Sequence, residues 1–326
     1  MILRGIAALI LSSAGPALAE DFLLAHPLAC ATDQGCYIQQ YMDRDPTGAF
    51  TDFRCQGLSY DGHKGTDFAV PTRATMEQRV DVLAAAGGRV RGVRDGMPDT
   101  GWTEETAAAI EGKECGNGVV IVHPGGWETQ YCHMMQGSVG VRPGQEVQEG
   151  TVLGQLGQSG RAEFPHLHFS VRKDGAPIDP FDPQPTTSCD TSAPATLWQD
   201  PPPYRPGGLI NMGLSEDMPE YTAIKAGIIQ PQLLPTTAAA LVLYGHTFGT
   251  RKGDVLRMIL AGPEGEVFRR DARFRKNHAQ AFRAFGKRRR AHATWPEGTY
   301  EASVQLIRDG TVIDRMTTAL SVSAAD

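Results

Sequence analysis

Two histidines one residue apart, His166 and His168, stand in the run Phe164-Pro165-His166-Leu167-His168-Phe169-Ser170-Val171. Side chains of an extended strand alternate between its faces. His166, His168 and Ser170 therefore share one face, and Leu167, Phe169 and Val171 the other. The apolar face calls for a core. The imidazole face suits a metal ion beside a proton carrier, because neutral imidazole is both an ordinary zinc ligand and an acid/base group near neutral pH. A second pair lies upstream in Tyr60-Asp61-Gly62-His63-Lys64-Gly65-Thr66-Asp67. From a turn, a histidine and a carboxylate four residues apart can both reach one ion. His133 ends the run Gln130-Tyr131-Cys132-His133. Taken singly, each feature has a bland reading: a solvated strand face, an aspartate capping a turn, a strand-end histidine in water.

These residues need a scaffold of short strands. Gly62 and Gly65 argue against a helix around His63, so Asp67 enters a strand continued by Phe68-Ala69-Val70. Residues 79–83 and 88–94 are β-like, with Gly87-Gly88 and Asp95-Gly96 as turns. Residues 118–123 and 127–133 form a hairpin around Pro124-Gly125-Gly126. Val147, Val152-Leu153 and Gln155-Leu156 supply further short strands between regularly spaced glycines. Residues 97–114 read as an insertion with a short helix at 103–111, and residues 36–42 as a short helix before Asp45-Pro46. Many short strands and little helix imply an all-β domain with an antiparallel sheet.

The frame around this domain is also readable. In residues 1–19, Arg4, the apolar residues 6–11 and Ala17-Leu18-Ala19 form a secretory signal. The expected location is exported, periplasmic or secreted, with no integral membrane segment, since no later apolar run is long enough to span a bilayer. Six cysteines, an even number, agree with an oxidising compartment. None forms a C-x-x-C pair, which argues against a thiolate zinc site or a redox motif. Spacing alone does not fix the pairing. Cys30 with Cys36 closes a short loop, Cys115 and Cys132 flank the hairpin, and Cys55 is then left with Cys189. The net charge of −6 argues against nucleic acid as a partner. The 326 residues suit two domains. Residues 20–54 read as an N-terminal extension, 55–185 as the first domain and 186–208 as a linker containing Pro201-Pro202-Pro203. Residues 209–326 make the second domain.

The order of motifs resembles the lysostaphin-type (LytM-like) zinc metallopeptidases. The resemblance runs over residues 57–180. It takes in His63-Lys64-Gly65-Thr66-Asp67, Gly116-Asn117-Gly118-Val119-Val120-Ile121-Val122-His123, residues 141–157, residues 165–171, and Gly175-Ala176-Pro177-Ile178-Asp179-Pro180. It implies a compact antiparallel β domain with an active-site groove across the sheet. By the same resemblance His63, Asp67 and His168 match the metal ligands for one zinc ion per chain. His133 and His166 match the catalytic histidines that flank the reaction without binding metal. The implied activity is endopeptidase hydrolysis of stem or cross-link peptides in bacterial peptidoglycan by zinc-activated water. Some relatives lack ligands and act as regulatory modules, amidase activators or scaffolds; all five positions are present here. A lipoyl-type carrier, suggested by residues 141–153, would need a lysine at a hairpin tip that is not there. Residues 73–78 and the insertion at 97–114 depart from the family pattern and bear on substrate preference. His26, His246, His278 and His292 fit no pattern, and His123, beside the hairpin turn, is a weak groove candidate.

In the second domain, residues 238–245, 255–261, 299–307 and 311–322 read as strands, which suggests a small immunoglobulin-like β-sandwich. Residues 268–290 interleave arginines and lysines with Phe268, Phe274, Phe282 and Phe285. Such a stretch suits an acidic glycan or the cell wall, or is a solvated strand pair with phenylalanines in the core.

Overall fold

The computed structural model describes residues 22–30, 35–184, 195–227 and 231–324. The signal reading at 1–19 and Cys189 lie outside them. Among the described residues no helix is long and apolar enough to cross a membrane.

The first half contains β1 (Tyr37–Gln40), β2 (Thr66–Ala69), β3 (Asp81–Leu83), β4 (Gly88–Arg94), β5 (Asn117–Val122), β6 (Trp127–Met134), β7 (Glu146–Val147), β8 (Val152–Gln155), β9 (His166–Lys173) and β10 (Ala176–Ile178). The main sheet runs β1-β2-β9-β6-β5-β4-β7, with β10 on β9 and a separate β3-β8 ribbon. Every pairing among these ten strands is antiparallel. One face is apolar by alternation: Leu167, Phe169 and Val171 of β9 lie against Tyr131, Ile121 and Phe68, all buried. Burying one such side chain contributes about 1.5–3 kcal/mol, so the parity of β9 is strongly fixed. Slipping it by one residue would turn the histidines into the core.

The register carries the function. Asp67 of β2 pairs with His168 of β9, and Cys132 of β6 pairs with His168 from the other side. Cys115 and Cys132 form a disulfide, as do Cys30 and Cys36.

Two sequence expectations change, at residues 36–42 and within 186–208. Residues 36–42 hold strand β1 rather than a helix; Tyr37 and Ile38 are buried and pair with Ala69 and Phe68. A helix this short cannot hold itself in water, whereas the open edge of β2 offers partners for its backbone. The extension at 20–54 contributes Leu24, Leu28, Ile38 and Tyr41 to the first core. Within 186–208, Trp198 is buried against Phe68, Phe169 and Phe181, and the Tyr204 hydroxyl donates to Asp52 Oδ2 at 2.8 Å. Its apolar bulk places it in the core despite the proline-rich surroundings. Within residues 73–78 lies helix α1 (Arg73–Glu77), capped by Thr72 Oγ1 accepting from the Thr75 amide. The insertion carries α2 (Ala107–Ile110).

The second half holds β11 (Gly208–Ser215), α3 (Tyr221–Ala226), β12 (Leu233–Pro235), β13 (Ala240–Thr250), β14 (Val255–Gly262), β15 (Gly265–Arg273), β16 (His278–Arg288), β17 (Gly298–Arg308) and β18 (Thr311–Ser323). Sheets β11-β13-β16 and β12-β18-β17-β14-β15 pack on a second core that includes Leu243, Leu256, Val304 and Leu306. In the basic stretch Phe268 and Phe274 are buried, and Arg270 and Arg283 lie over Phe285 and Phe274. This half docks on the β1 edge: Gln39 Nε2 donates to the Ala279 carbonyl at 2.8 Å, and Phe248 meets Tyr37 with centroids 4.7 Å apart.

Asp179 gives a pH prediction. It is buried, its Oδ1 accepts from the Phe181 amide and its Oδ2 has no partner. Burial raises its pKa to about 7 against the relief given by that hydrogen bond. Between the ordinary carboxylate value and about 7 the native state keeps a proton that the unfolded chain has lost. This contribution to stability is therefore lost as pH rises through that window, by at most ~1.4 kcal/mol per pH unit. Asp179→Asn is expected to flatten the fall, read as melting temperature against pH. A variant with the wild-type slope would show that Asp179 does not carry it.

Candidate metal centre

Strand pairing brings together residues 105 positions apart in sequence. His63 Nε2 lies 3.1 Å from His168 Nδ1 and 3.1 Å from Asp67 Oδ1, and His168 Nδ1 lies 2.8 Å from Asp67 Oδ1. His63 and Asp67 are buried and His168 is partly exposed. With zinc–ligand bonds of about 2.0–2.2 Å, tetrahedral donors stand roughly 3.3 Å apart, so the set fits a zinc ion with little adjustment.

The other ring nitrogens show which atoms are free to ligate. His63 Nδ1 donates to the Tyr41 carbonyl at 2.6 Å, which leaves Nε2 bare. His168 Nε2 meets Ser170 Oγ at 3.0 Å, which turns Nδ1 toward the other donors. Such outer partners fix tautomer and ring orientation in metal sites. Tyr60 stacks on His63 with centroids 4.3 Å apart. Gly65 is there because its neighbours leave no room: a Cβ would sit 2.6 Å from the Phe169 carbonyl oxygen and 2.7 Å from His168 Nε2.

The electrostatics favour an ionised Asp67. Burial opposes its charge, but the His63 and His166 imidazoles outweigh that and hold its pKa well below the usual carboxylate value. His63 is the counterpart: burial pulls it down, and the Asp67 charge and hydrogen bond raise it overall.

His133 and His166 flank the set. Their ring centroids are 4.6 Å apart, and His166 Nε2 is 3.7 Å from Asp67 Oδ1. By strict alternation His133 would follow Tyr131 into the core. A left-handed backbone, φ 63°, re-aims it toward His166. His133 Nδ1 donates to the Ser159 carbonyl and His166 Nδ1 to the Phe164 carbonyl, both at 2.8 Å. Burial lowers the pKa of both, well below the ordinary value for His133. Each is therefore a neutral imidazole with a bare Nε2, the form of a proton acceptor.

The cavity over these groups has a volume of about 400 Å³ and includes Tyr60, Arg161, Glu163, Phe164, Gln40 and Ala279 in its wall. Ala279 comes from the second half, and no local sequence signal announces it. Ser170 was already legible, on the same strand face as the histidines. His123 is spent on structure, bridging the Gly87 carbonyl and Thr129 Oγ1. His26 bonds locally to Leu28, and His246 is buried beside Tyr221.

The model of Peptidase family M23 matches residues 61–180, the span that carries all five site residues. Residues 61–180 are a peptidase family M23 domain. Among curated relatives, the DD-carboxypeptidase/endopeptidase Mpg of Neisseria meningitidis is 30% identical over 118 residues, 36% of this chain and 22% of that one. The peptidoglycan DD-endopeptidase ShyB of Vibrio cholerae is 32% identical over 117 residues, with the same two shares. The matched part thus spans about a fifth of the length of these relatives. A solved zinc-containing peptidase from Vibrio cholerae is similar at 25% identity and TM-score 0.27, over 43% of this chain and 38% of that one. The M23 domain is identified by the family model and its relatives in sequence, and its fold is the antiparallel β-sheet described above.

Proposed function

We propose that this chain is an exported zinc metalloendopeptidase, periplasmic or secreted, that hydrolyses peptide bonds in stem or cross-link peptides of peptidoglycan. The observation that carries the reading is the convergence of His63 Nε2, Asp67 Oδ1 and His168 Nδ1 inside an M23 domain. These three would hold one zinc ion per chain. Zinc so bound supplies an activated water and polarises the scissile carbonyl.

The chain's own residues supply the rest. Asp67 and the two ligand histidines fix the site at the floor of the groove, with His168 on its solvent side. His166, its Nδ1–H spent on the Phe164 carbonyl, takes a proton at Nε2 from the attacking water and returns it to the leaving amine. His133, held by the Ser159 carbonyl, shares that transfer or, once protonated, donates to the developing oxyanion. The basic stretch 268–290 would rest on acidic glycans of the wall. A regulatory module would need neither the ligand set nor the two bare imidazoles.

Chelation followed by zinc return tests the reading. Turbidity of a peptidoglycan suspension should fall with the native protein, hold steady after exhaustive chelation, and fall again when zinc is restored. Clearing that is indifferent to chelation would refute a zinc enzyme.

A further inference from the structure

The sheet face that carries the metal set continues past it. On β9, Ser170 and Arg172 follow His168 on the same side, and on β6 they pair with Gln130 and Glu128. Val120 and Val122 of β5 lie opposite Gln130 and Glu128. Four residues of extended chain separate His168 from Arg172, about 13 Å. There the face opens into a second cavity of about 440 Å³, lined by Arg91, Val120, Val122, Trp127, Glu128 and Arg172 among others.

The charges in it are arranged rather than scattered. Arg172 donates to Glu128 Oε1 at 2.8 Å and also to Gln130 Oε1. Arg91, from β4, reaches Glu128 Oε2. One carboxylate thus sits between two guanidiniums, leaving a net positive charge on the groove floor. Glu128 is 12% exposed, Arg172 28% and Arg91 60%. The acid is therefore spent inside the cluster, while the arginines keep donors facing the cavity. One arginine is enough to neutralise Glu128, so the second guanidinium leaves a positive charge to spare on this face.

We propose that Arg91 and Arg172, oriented by Glu128, form a carboxylate-binding subsite for a peptide lying along β9. It would take an acidic group about four residues from the bond that is cut. A guanidinium fork matches a carboxylate in shape as well as charge, and the valines and Trp127 offer the adjoining chain an apolar wall. This rests on the peptidase reading for the direction of the groove.

The test is a binding cycle on the full chain with zinc removed by chelation, so that nothing is cleaved. The probe is the soluble tetrapeptide stem released from peptidoglycan, with its carboxylates free or converted to primary amides. Calorimetry should give roughly tenfold weaker binding of the amide by the wild type, the scale of one charge-assisted hydrogen bond at a partly exposed site. Arg91→Gln should lose about the same factor for the free acid and no longer distinguish the two probes. Because Arg172 still pairs Glu128, this variant should melt with the wild type. Equal discrimination by both proteins, or no binding of the free acid by the wild type, would overturn the subsite. Peptidoglycan hydrolysis by the zinc-loaded wild type is measured alongside. Coupling without hydrolysis would sink the peptidase reading and keep the subsite; hydrolysis without coupling would do the reverse.

Discussion

Asp67→Asn is expected to leave the purified protein without bound zinc and without measurable hydrolysis. Asp67 is buried and its Oδ1 lies within hydrogen-bonding distance of His63 Nε2 and His168 Nδ1. The substitution keeps the shape of the side chain and removes the anionic donor. Loss of a partner that merely supports a ligand costs metal sites ~10–100-fold in affinity or activity, so loss of a ligand should cost more. Elemental analysis after dialysis gives the zinc content, and a melting curve with and without added zinc gives an independent reading. The wild type should gain stability from zinc by mass action, and the variant should not. A variant that retains one zinc per chain would remove Asp67 from the ligand set.

His166→Ala should separate binding from chemistry. Its Nδ1 is committed to the Phe164 carbonyl, and its Nε2 lies beside the ligand set rather than within it. The variant is expected to keep its zinc and lose kcat by about 10²–10⁴-fold, the usual worth of a positioned acid/base group. Parallel zinc analysis and steady-state kinetics decide this. Loss of zinc would make His166 a ligand; unchanged kcat would leave His133 alone in the proton transfer. His133→Ala should fall in the same range if the two share the role.

Part of this site can be read directly from residue order. Alternation along 166–171 places His166 and His168 on one face, and the glycine turn before Asp67 keeps His63 near the strand entry. Both follow from local rules, and β2 pairs with β9 in the register that joins them. His133 was legible as a residue but not in its direction, because a single left-handed φ breaks the alternation from which direction is inferred. The N-terminal segment was misread because four residues carry no period of their own. Tyr37–Gln40 become a strand through the open edge of β2. Trp198 was hidden by prolines that dominate the local composition although its ring is in the core. The reach of Ala279 into the cavity beside Asp67, His133 and His166 depends on docking between two halves, held by Gln39 and Gln280, and no window of sequence contains both.

The most direct measurement is separation by mass of the products released from purified peptidoglycan by the zinc-loaded wild type and by His168→Ala. The account predicts new peptide ends with the wild type, their masses naming the bond, and none with the variant. A folded wild type that holds one zinc per chain and releases no such products, or a variant that releases the same ones, would contradict it.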